Sequence, residues 1–202
     1  MEYILARSTP LENSKNNIYE VHDEELEQKY KDAGYQQYER SYKTKYQYKE
    51  YIVICLEFRN DSTGAEPVVI VPDFLIPGRR YPHYVYMHGI ELYCNNPDKG
   101  LRWAAEETRK YFGLDTFSHT TLGRALKAFF RGIAGEDPTP AKDIDSEKQK
   151  PCFPSTQDTA VVRKQVAEFL RSRLGQIEQQ EIIVIYCQLA REWHKQYQKL
   201  LL

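Results

Sequence analysis

The pattern of apolar and polar positions predicts β-structure early in the chain. Tyrosines and β-branched residues accumulate there, and two runs, residues 51–58 and 66–71, have the composition of strands. The polar residues 60–64 between them form a turn cluster, so the two runs predict a β-hairpin. Residues 35–42 are a candidate third strand, and the apolar residues 3–5 indicate either a short strand or an ordered arm.

Helix-favouring composition and apolar spacings of three to four residues predict six helical segments. The first begins near His22 or Asp23 and ends at Gly34. The second is amphipathic, although Gly89 lowers its intrinsic helix propensity. The predicted helices span residues 22–34, 83–94, 101–112, 119–131, 158–174 and 178–200.

These elements predict an α+β fold, mostly α, in a chain of 202 residues, a length that fits one domain or two small ones. A β-rich region, either a hairpin or a three-stranded ribbon-like sheet, occupies residues 1–78. It ends in a rigid connector, residues 72–78, which contains two prolines. Residues 79–133 form a helical domain, residues 134–152 a polar linker and residues 153–202 a helical pair.

Composition narrows the classes of function. Hydrophobic residues at 41% and charged residues at 28% are typical of globular proteins and argue against global disorder. The sequence has no apolar run long enough for a membrane-spanning helix, and residues 1–10 lack the apolar run of a signal peptide, so we expect a cytoplasmic protein without a membrane partner. Since the net charge is −1, nucleic-acid binding requires a local basic patch.

The cysteines do not have the spacing of a metal site. They contain no CxxC pair, the arrangement by which thiolates share a tetrahedral zinc ion, so we expect isolated, reduced thiols. His83, His88 and Cys94 are either metal ligands or, as we favour, ordinary polar and partly buried residues; we therefore predict no metal and no cofactor. The cysteines are Cys55, Cys94, Cys152 and Cys187.

The segment from Leu101 to Arg131 carries the strongest functional signal. Gly113 is a candidate C-cap for its first helix, and Ser118 is a candidate N-cap for its second. The second helix has a buried apolar stripe and, opposite to it, a polar and basic face. This arrangement predicts a helix-turn-helix that binds double-stranded DNA. The alternative is a plain helical hairpin with a solvated basic face, since the turn is longer than that of a compact helix-turn-helix.

The predicted DNA contacts have different roles. Short polar side chains at the start of the second helix can approach base edges, and Arg124, one turn deeper, can donate to guanine. Lys127 and Arg131 suit phosphates. Residues 99–131 hold seven basic and three acidic residues, so their net charge of +4 supplies a basic patch. The predicted DNA-binding residues are Ser118, His119, Thr120, Thr121, Arg124, Lys127, Arg131, Arg109 and Lys110.

Three segments also resemble a known family. They read IVPDFLIPGRRYPH, SHTTLGRALKAF and KPCFPSTQDTAVVRKQVAEFL, and they are similar to short, transposase-like bacterial proteins of unknown function that are associated with transposable elements. The resemblance covers residues 35–170. It implies DNA recognition at a mobile element through a helix-turn-helix, with the protein as a regulator or accessory of transposition.

The chain departs from this family where the family has the cysteines of a zinc ribbon. Residues 57–62 stand in their place without a thiol, and Pro77-Gly78 replaces the usual Pro-Tyr. The resemblance therefore implies a zinc-ribbon-like hairpin without zinc.

Two functions remain open. We expect a non-enzymatic, sequence-specific DNA-binding protein, because the sequence contains no HExxH motif, phosphate-cradling glycine loop or deaminase signature. The alternative is a protein–protein interaction module that uses the C-terminal amphipathic helices. The apolar face of residues 178–200 either packs on the core or forms a homodimer, which would suit a two-fold DNA site. The tyrosines of the β-rich region either stack on bases or cover a sheet face.

Overall fold

The computed structural model describes residues 1–8, 11, 15–133, 159–174 and 182–197. In these residues the predicted α+β class is confirmed, with six helices, about half of the residues helical, and a curled mixed sheet. The strands are β1 (Glu2–Ala6), β2 (Ile18–Glu20), β3 (Gln36–Tyr46), β4 (Lys49–Arg59) and β5 (Val68–Pro72). The helices are α1 (Glu24–Asp32), α2 (His83–Asn95), α3 (Leu101–Tyr111), α4 (His119–Ile133), α5 (Thr159–Leu174) and α6 (Ile182–Tyr197).

The longest hairpin of the sheet joins β3 to β4. The two strands pair antiparallel from Gln36 opposite Arg59 to Tyr46 opposite Lys49. Gln47 and Tyr48 form the turn with φ angles of 47° and 58°, a region that asparagine and glycine occupy more readily. The predicted third strand, residues 35–42, is therefore present, but it continues to Tyr46. The sequence did not show this longer strand because Gln47-Tyr48 is not a typical turn dipeptide.

The sheet is larger than the predicted hairpin or three-stranded ribbon-like sheet. Strand β5 pairs antiparallel with β4 after the predicted turn at residues 60–64. Strand β2 pairs parallel with β4, and β1 pairs parallel with β5. Since β3 occupies one edge of β4 along its whole length, β2 and β5 share the other edge. These parallel pairs join segments that are distant in sequence, so no local turn motif predicts them.

Helix α1 has the N-cap and the terminating glycine that the sequence predicts, and it packs against the sheet. The Asp23 carboxylate accepts a hydrogen bond from the Leu26 backbone N–H at 3.1 Å, as an N-cap does. Gly34 follows the helix with a φ of 81°. Tyr30 stacks on Phe58 of β4, with the ring centroids 5.0 Å apart.

Helix α2 is the centre of the helical layer, and its predicted amphipathic character is wrong. Ten of its thirteen residues are buried, because α3, α4, α5 and α6 all pack against it. Gly89 lies where these helices approach most closely: a Cβ added there would lie 2.8 Å from Leu122 Cδ1 and 3.0 Å from Thr108 Oγ1. The glycine that weakens the helix prediction therefore serves helix packing.

The connector after β5 joins the sheet to the helices. Its apolar residues Phe74, Leu75 and Ile76 are buried in one hydrophobic core with residues of the strands and of α2 to α6, so the core crosses the predicted boundary at residue 78. The buried Asp73 carboxylate accepts hydrogen bonds from Ser8, which follows β1, and from Arg191 of α6. The predicted linker at 134–152 lies outside the described residues.

The C-terminal helices pack back on this core. The ring of Phe169 on α5 makes edge contacts with Phe129 of α4 and Trp193 of α6, each with centroids 5.8 Å apart. The Tyr186 hydroxyl of α6 donates to the Glu91 carboxylate of α2. The apolar side of α6 is thus occupied within the chain, and a homodimer through residues 178–200 stays a prediction. None of the described helices is long and apolar enough to cross a membrane.

Candidate nucleic-acid interface

Helices α3 and α4 form a close pair joined by residues 112–118. Gly113 has the positive φ, 53°, that the sequence predicts for it. Leu114 and Phe117 are buried and fix the connection against the core. Ser118 confirms its capping role, since its Oγ accepts a hydrogen bond from the Thr121 N–H at 3.1 Å and its carbonyl accepts from the Leu122 N–H at 3.0 Å.

The predicted contact residues of α4 lie on one exposed face. Thr120, Arg124, Lys127 and Arg131 are all exposed and follow each other at spacings of four, three and four residues. This spacing places them in a single stripe along the helix. The opposite face is buried through Leu122, Ala125, Leu126 and Phe129. The helix therefore presents its basic stripe to solvent while its apolar stripe holds it to the core.

The first turn of α4 is open to an anion or a base edge. His119 and Thr120 are exposed there, and the turn contains no acidic residue. The hydroxyl oxygens of Ser118 and Thr121, by contrast, lie 2.9 Å apart and take part in the helix cap. Ser118 and Thr121 thus shape the N-terminus, and His119 and Thr120 project from it.

Arg109 and Lys110 of α3 do not add free positive charge to this surface. Arg109 makes a two-pronged ion pair with Glu106, with Nη2 to Oε1 at 2.7 Å and Nε to Oε2 at 3.2 Å. Lys110 Nζ lies 3.0 Å from Glu107 Oε1. The hydrogen bond and charge of Arg109 lower the pKa of Glu106 and hold it ionised. The local net charge of the segment therefore comes from α4 more than from α3.

The tip of the β3–β4 hairpin contacts the connection between α3 and α4, which the sequence did not suggest. The Gln47 N–H donates to the Phe112 carbonyl at 3.2 Å, and the Tyr48 N–H donates to the Gly113 carbonyl at 2.7 Å. These bonds satisfy carbonyl groups at the end of α3. The Tyr48 ring lies against Gly113, where a Cβ would come within 2.9 Å of its Cε2 atom.

A basic groove beside this hairpin is a second feature that sequence reasoning missed. Lys43 and Lys45 of β3 line it together with Arg79 and Arg80, which follow the connector, and Glu50 is the one carboxylate among the described residues that line it. The four cations come from two segments far apart in the sequence. Only the long-range pairing of β3 with residue 80, through the Lys45 N–H and the Arg80 carbonyl at 2.8 Å, brings them together.

Four other side chains that the sequence offers for metal binding or catalysis are buried. Burial raises the pKa of the Cys55 and Cys94 thiols to about 12, so both stay protonated at neutral pH. Burial lowers the pKa of His83 to about 3 and that of His88 to about 4. His83 and Cys94 lie about 16 Å apart along α2, given the rise of a helix, so they do not converge on one metal ion. Cys152 lies outside the described residues.

Comparisons with known proteins do not indicate a function for this chain. No family model matches the chain, and no curated protein and no solved structure matches it either. The exposed stripe of α4 and the hairpin beside it are the surface from which a function has to be inferred.

Proposed function

We propose that the protein binds duplex DNA, with α3 and α4 as a helix-turn-helix and α4 as the recognition helix. The observation that carries this proposal is the exposed stripe of Thr120, Arg124, Lys127 and Arg131, backed by a buried apolar face. The major groove is about 12 Å wide and admits one α-helix. A helix that is held from behind and basic in front is suited to enter it.

The roles of the side chains follow from their positions along α4. His119 and Thr120 at the N-terminal end approach base edges, where short polar side chains fit closely. Arg124 forms no hydrogen bond or ion pair with another described residue, and its guanidinium can fork onto the O6 and N7 acceptors of guanine. Lys127 and Arg131, one and two turns farther along, contact phosphates.

The resemblance of residues 35–170 to transposase-like proteins supports the proposal that the bound DNA is part of a mobile element. In that role the protein is a regulator or accessory of transposition, and the β4–β5 hairpin, which contains residues 57–62, stands in place of the family's zinc ribbon. The buried, protonated thiols of Cys55 and Cys94 and the buried, neutral rings of His83 and His88 offer no reactive group to a substrate at neutral pH.

The variant Arg124→Ala tests this proposal. We expect its affinity for a selected duplex to fall by roughly 5- to 150-fold, the equivalent of about 1–3 kcal/mol, and its preference to relax at one base position. The measurement is fluorescence anisotropy with the selected site and with single-base variants of it. Arg171→Ala, which removes an exposed arginine from α5, is the matched control. Equal affinities for wild type and Arg124→Ala would contradict the assignment of α4.

A protein–protein interaction module is the second candidate. Val161 of α5 and Val184 of α6 are exposed, and they offer apolar contacts on the C-terminal helices. Single exposed valines are common on protein surfaces, however, and the remaining apolar side of α6 is occupied by the core. This candidate takes precedence only if the purified protein fails to bind duplex DNA at low salt.

A further inference from the structure

We propose that the basic groove between β3 and residues 79–80 binds the phosphates of the same duplex that α4 contacts. This inference rests on the proposed DNA-binding function and adds a second contact surface to it. The groove, of about 550 Å³, is lined by Lys43, Lys45, Arg79 and Arg80 and by one carboxylate, Glu50. In a chain of net charge −1, four cations around one carboxylate are a strong local concentration of positive charge.

Hydrogen bonds fix the backbone of the segments that carry these cations. The Arg80 carbonyl accepts hydrogen bonds from the Lys45 N–H at 2.8 Å and from the Thr44 hydroxyl at 3.4 Å, which holds the arginine pair along the edge of β3. The Arg79 N–H donates to the Ile76 carbonyl at 3.0 Å, and Gly78 has a φ of 77°, which favours glycine in this turn. The backbone of the groove is thus preorganised, so its two segments need no rearrangement on binding.

Carboxylates compensate the positive charge of the groove only in part. Lys43 Nζ lies 3.1 Å from Glu50 Oε1, and this hydrogen bond, together with the charges of Lys43, Lys45 and Arg80, lowers the pKa of the Glu50 carboxyl group. Lys45 Nζ reaches Asp115 Oδ2 only at 4.0 Å. Arg79 and Arg80 have no carboxylate partner among the described residues. Both guanidinium groups therefore lack an ion-pair partner among the described residues, and that of Arg80 lies over the Tyr81 ring, 5.6 Å from its centroid.

The groove and α4 are attached to the same segment, residues 112–118. The hairpin tip donates its Gln47 and Tyr48 N–H groups to carbonyls at one end of this segment. Tyr81, adjacent to Arg80, donates its hydroxyl to the Thr116 carbonyl near the other end. Helix α4 begins directly after Ser118. In this proposal, a duplex seated on the N-terminal half of α4 extends over the hairpin.

Phosphate is the ligand group that this chemistry fits best. Arginine presents a planar fork that matches two phosphate oxygens, and the lysines add point charges that tolerate varied geometry. Tyr48 at the hairpin tip is 69% accessible, and its ring can pack on a deoxyribose or donate a hydrogen bond from its hydroxyl to a DNA phosphate. Contacts of this type position the protein on DNA and do not read its sequence.

The double variant Arg79→Ala/Arg80→Ala tests this surface. We expect it to bind every duplex about tenfold or more weakly at moderate salt, while the ranking of sequences stays unchanged. Loss of two phosphate contacts should reduce the slope of log affinity against log salt by about 1.8. The matched control is Lys164→Ala/Arg171→Ala, which removes the same charge from the exposed side of α5. Circular dichroism and thermal melting of both variants verify that they are folded.

The outcomes separate this inference from the proposed function. A double variant with the affinity and salt slope of wild type, beside a weakened Arg124→Ala, would overturn the groove and leave α4 as the DNA-binding surface; the groove would then suit an acidic protein partner. A weakened double variant beside an unchanged Arg124→Ala would support the groove and contradict the recognition helix. No binding by wild type at low salt would overturn both.

Discussion

At the scale of single residues, His83 shows how burial determines protonation. It begins α2, is almost completely inaccessible, and neither ring nitrogen has a hydrogen-bond partner among the described residues. The protonated ring would have to lose its hydration without compensation, so burial lowers its pKa to about 3. His88, five residues farther along, forms a hydrogen bond with Thr108 at 3.3 Å and stacks on Tyr111.

The variant His83→Leu should reduce the sensitivity of the protein to acid. Above pH 6.5 the His83 ring is mostly neutral in the folded and in the unfolded protein. Below pH 6.5 the ring binds a proton in the unfolded chain, whereas in the folded protein it stays neutral down to about pH 3. Stability is therefore lost as the pH falls through this window, by about 1–2 kcal/mol between pH 7 and pH 5 for this residue.

Urea unfolding at both pH values measures the effect. We expect the stability difference between pH 7 and pH 5 to be smaller in His83→Leu than in wild type, and unchanged in the control His119→Ala, whose ring is exposed on α4. An identical pH dependence in wild type and His83→Leu would show that the buried histidine is not the group that titrates on unfolding.

At the scale of elements, local signals determined the helices and long-range contacts determined the sheet. The caps at Asp23 and Ser118 and the glycine at 113 are read from a few neighbouring residues, and the structure confirms them. The parallel pairings of β1 with β5 and of β2 with β4 join segments that are about 30 to 70 residues apart in the sequence. The basic groove has the same origin, since pairing along β3 brings the arginines to the lysines.

Gly89 on α2 and Gly123 on α4 should respond in opposite ways to replacement by alanine. A Cβ at Gly89 would press on Leu122 and Thr108, which are fully buried and cannot move aside, so we expect Gly89→Ala to destabilise the protein by about 1–3 kcal/mol. A Cβ at Gly123 would meet only Leu101 Cδ1 at an ordinary 3.5 Å, and alanine there should stabilise α4 by about 0.5–1 kcal/mol.

Chemical denaturation of the two variants measures both effects under identical conditions. Since the two substitutions add the same methyl group to a helix interior, the difference in sign reports the packing around α2 alone. A Gly89→Ala protein as stable as Gly123→Ala would contradict the close approach of α3 and α4 to α2.

At the scale of the whole molecule, one core joins regions that the sequence suggested were separate. Periodicity along α2 cannot show that four helices cover it, so its burial on all sides was not predictable. Asp73 ties the end of β1 and α6 to the connector, and the hairpin tip supports the turn before α4. Helix α4, the hairpin and the groove are thus parts of one scaffold, which gives the proposed DNA contacts a common support.

The central claim, that α4 and its flanking hairpin bind DNA, is tested most directly by amide chemical-shift mapping. Isotopically labelled protein is titrated at low salt with a mixed duplex. We expect the perturbed amides to cluster in residues 118–131, with a second group in residues 43–50 and 79–80. Perturbations confined to α5 and α6, or no perturbation at any DNA concentration, would contradict the account.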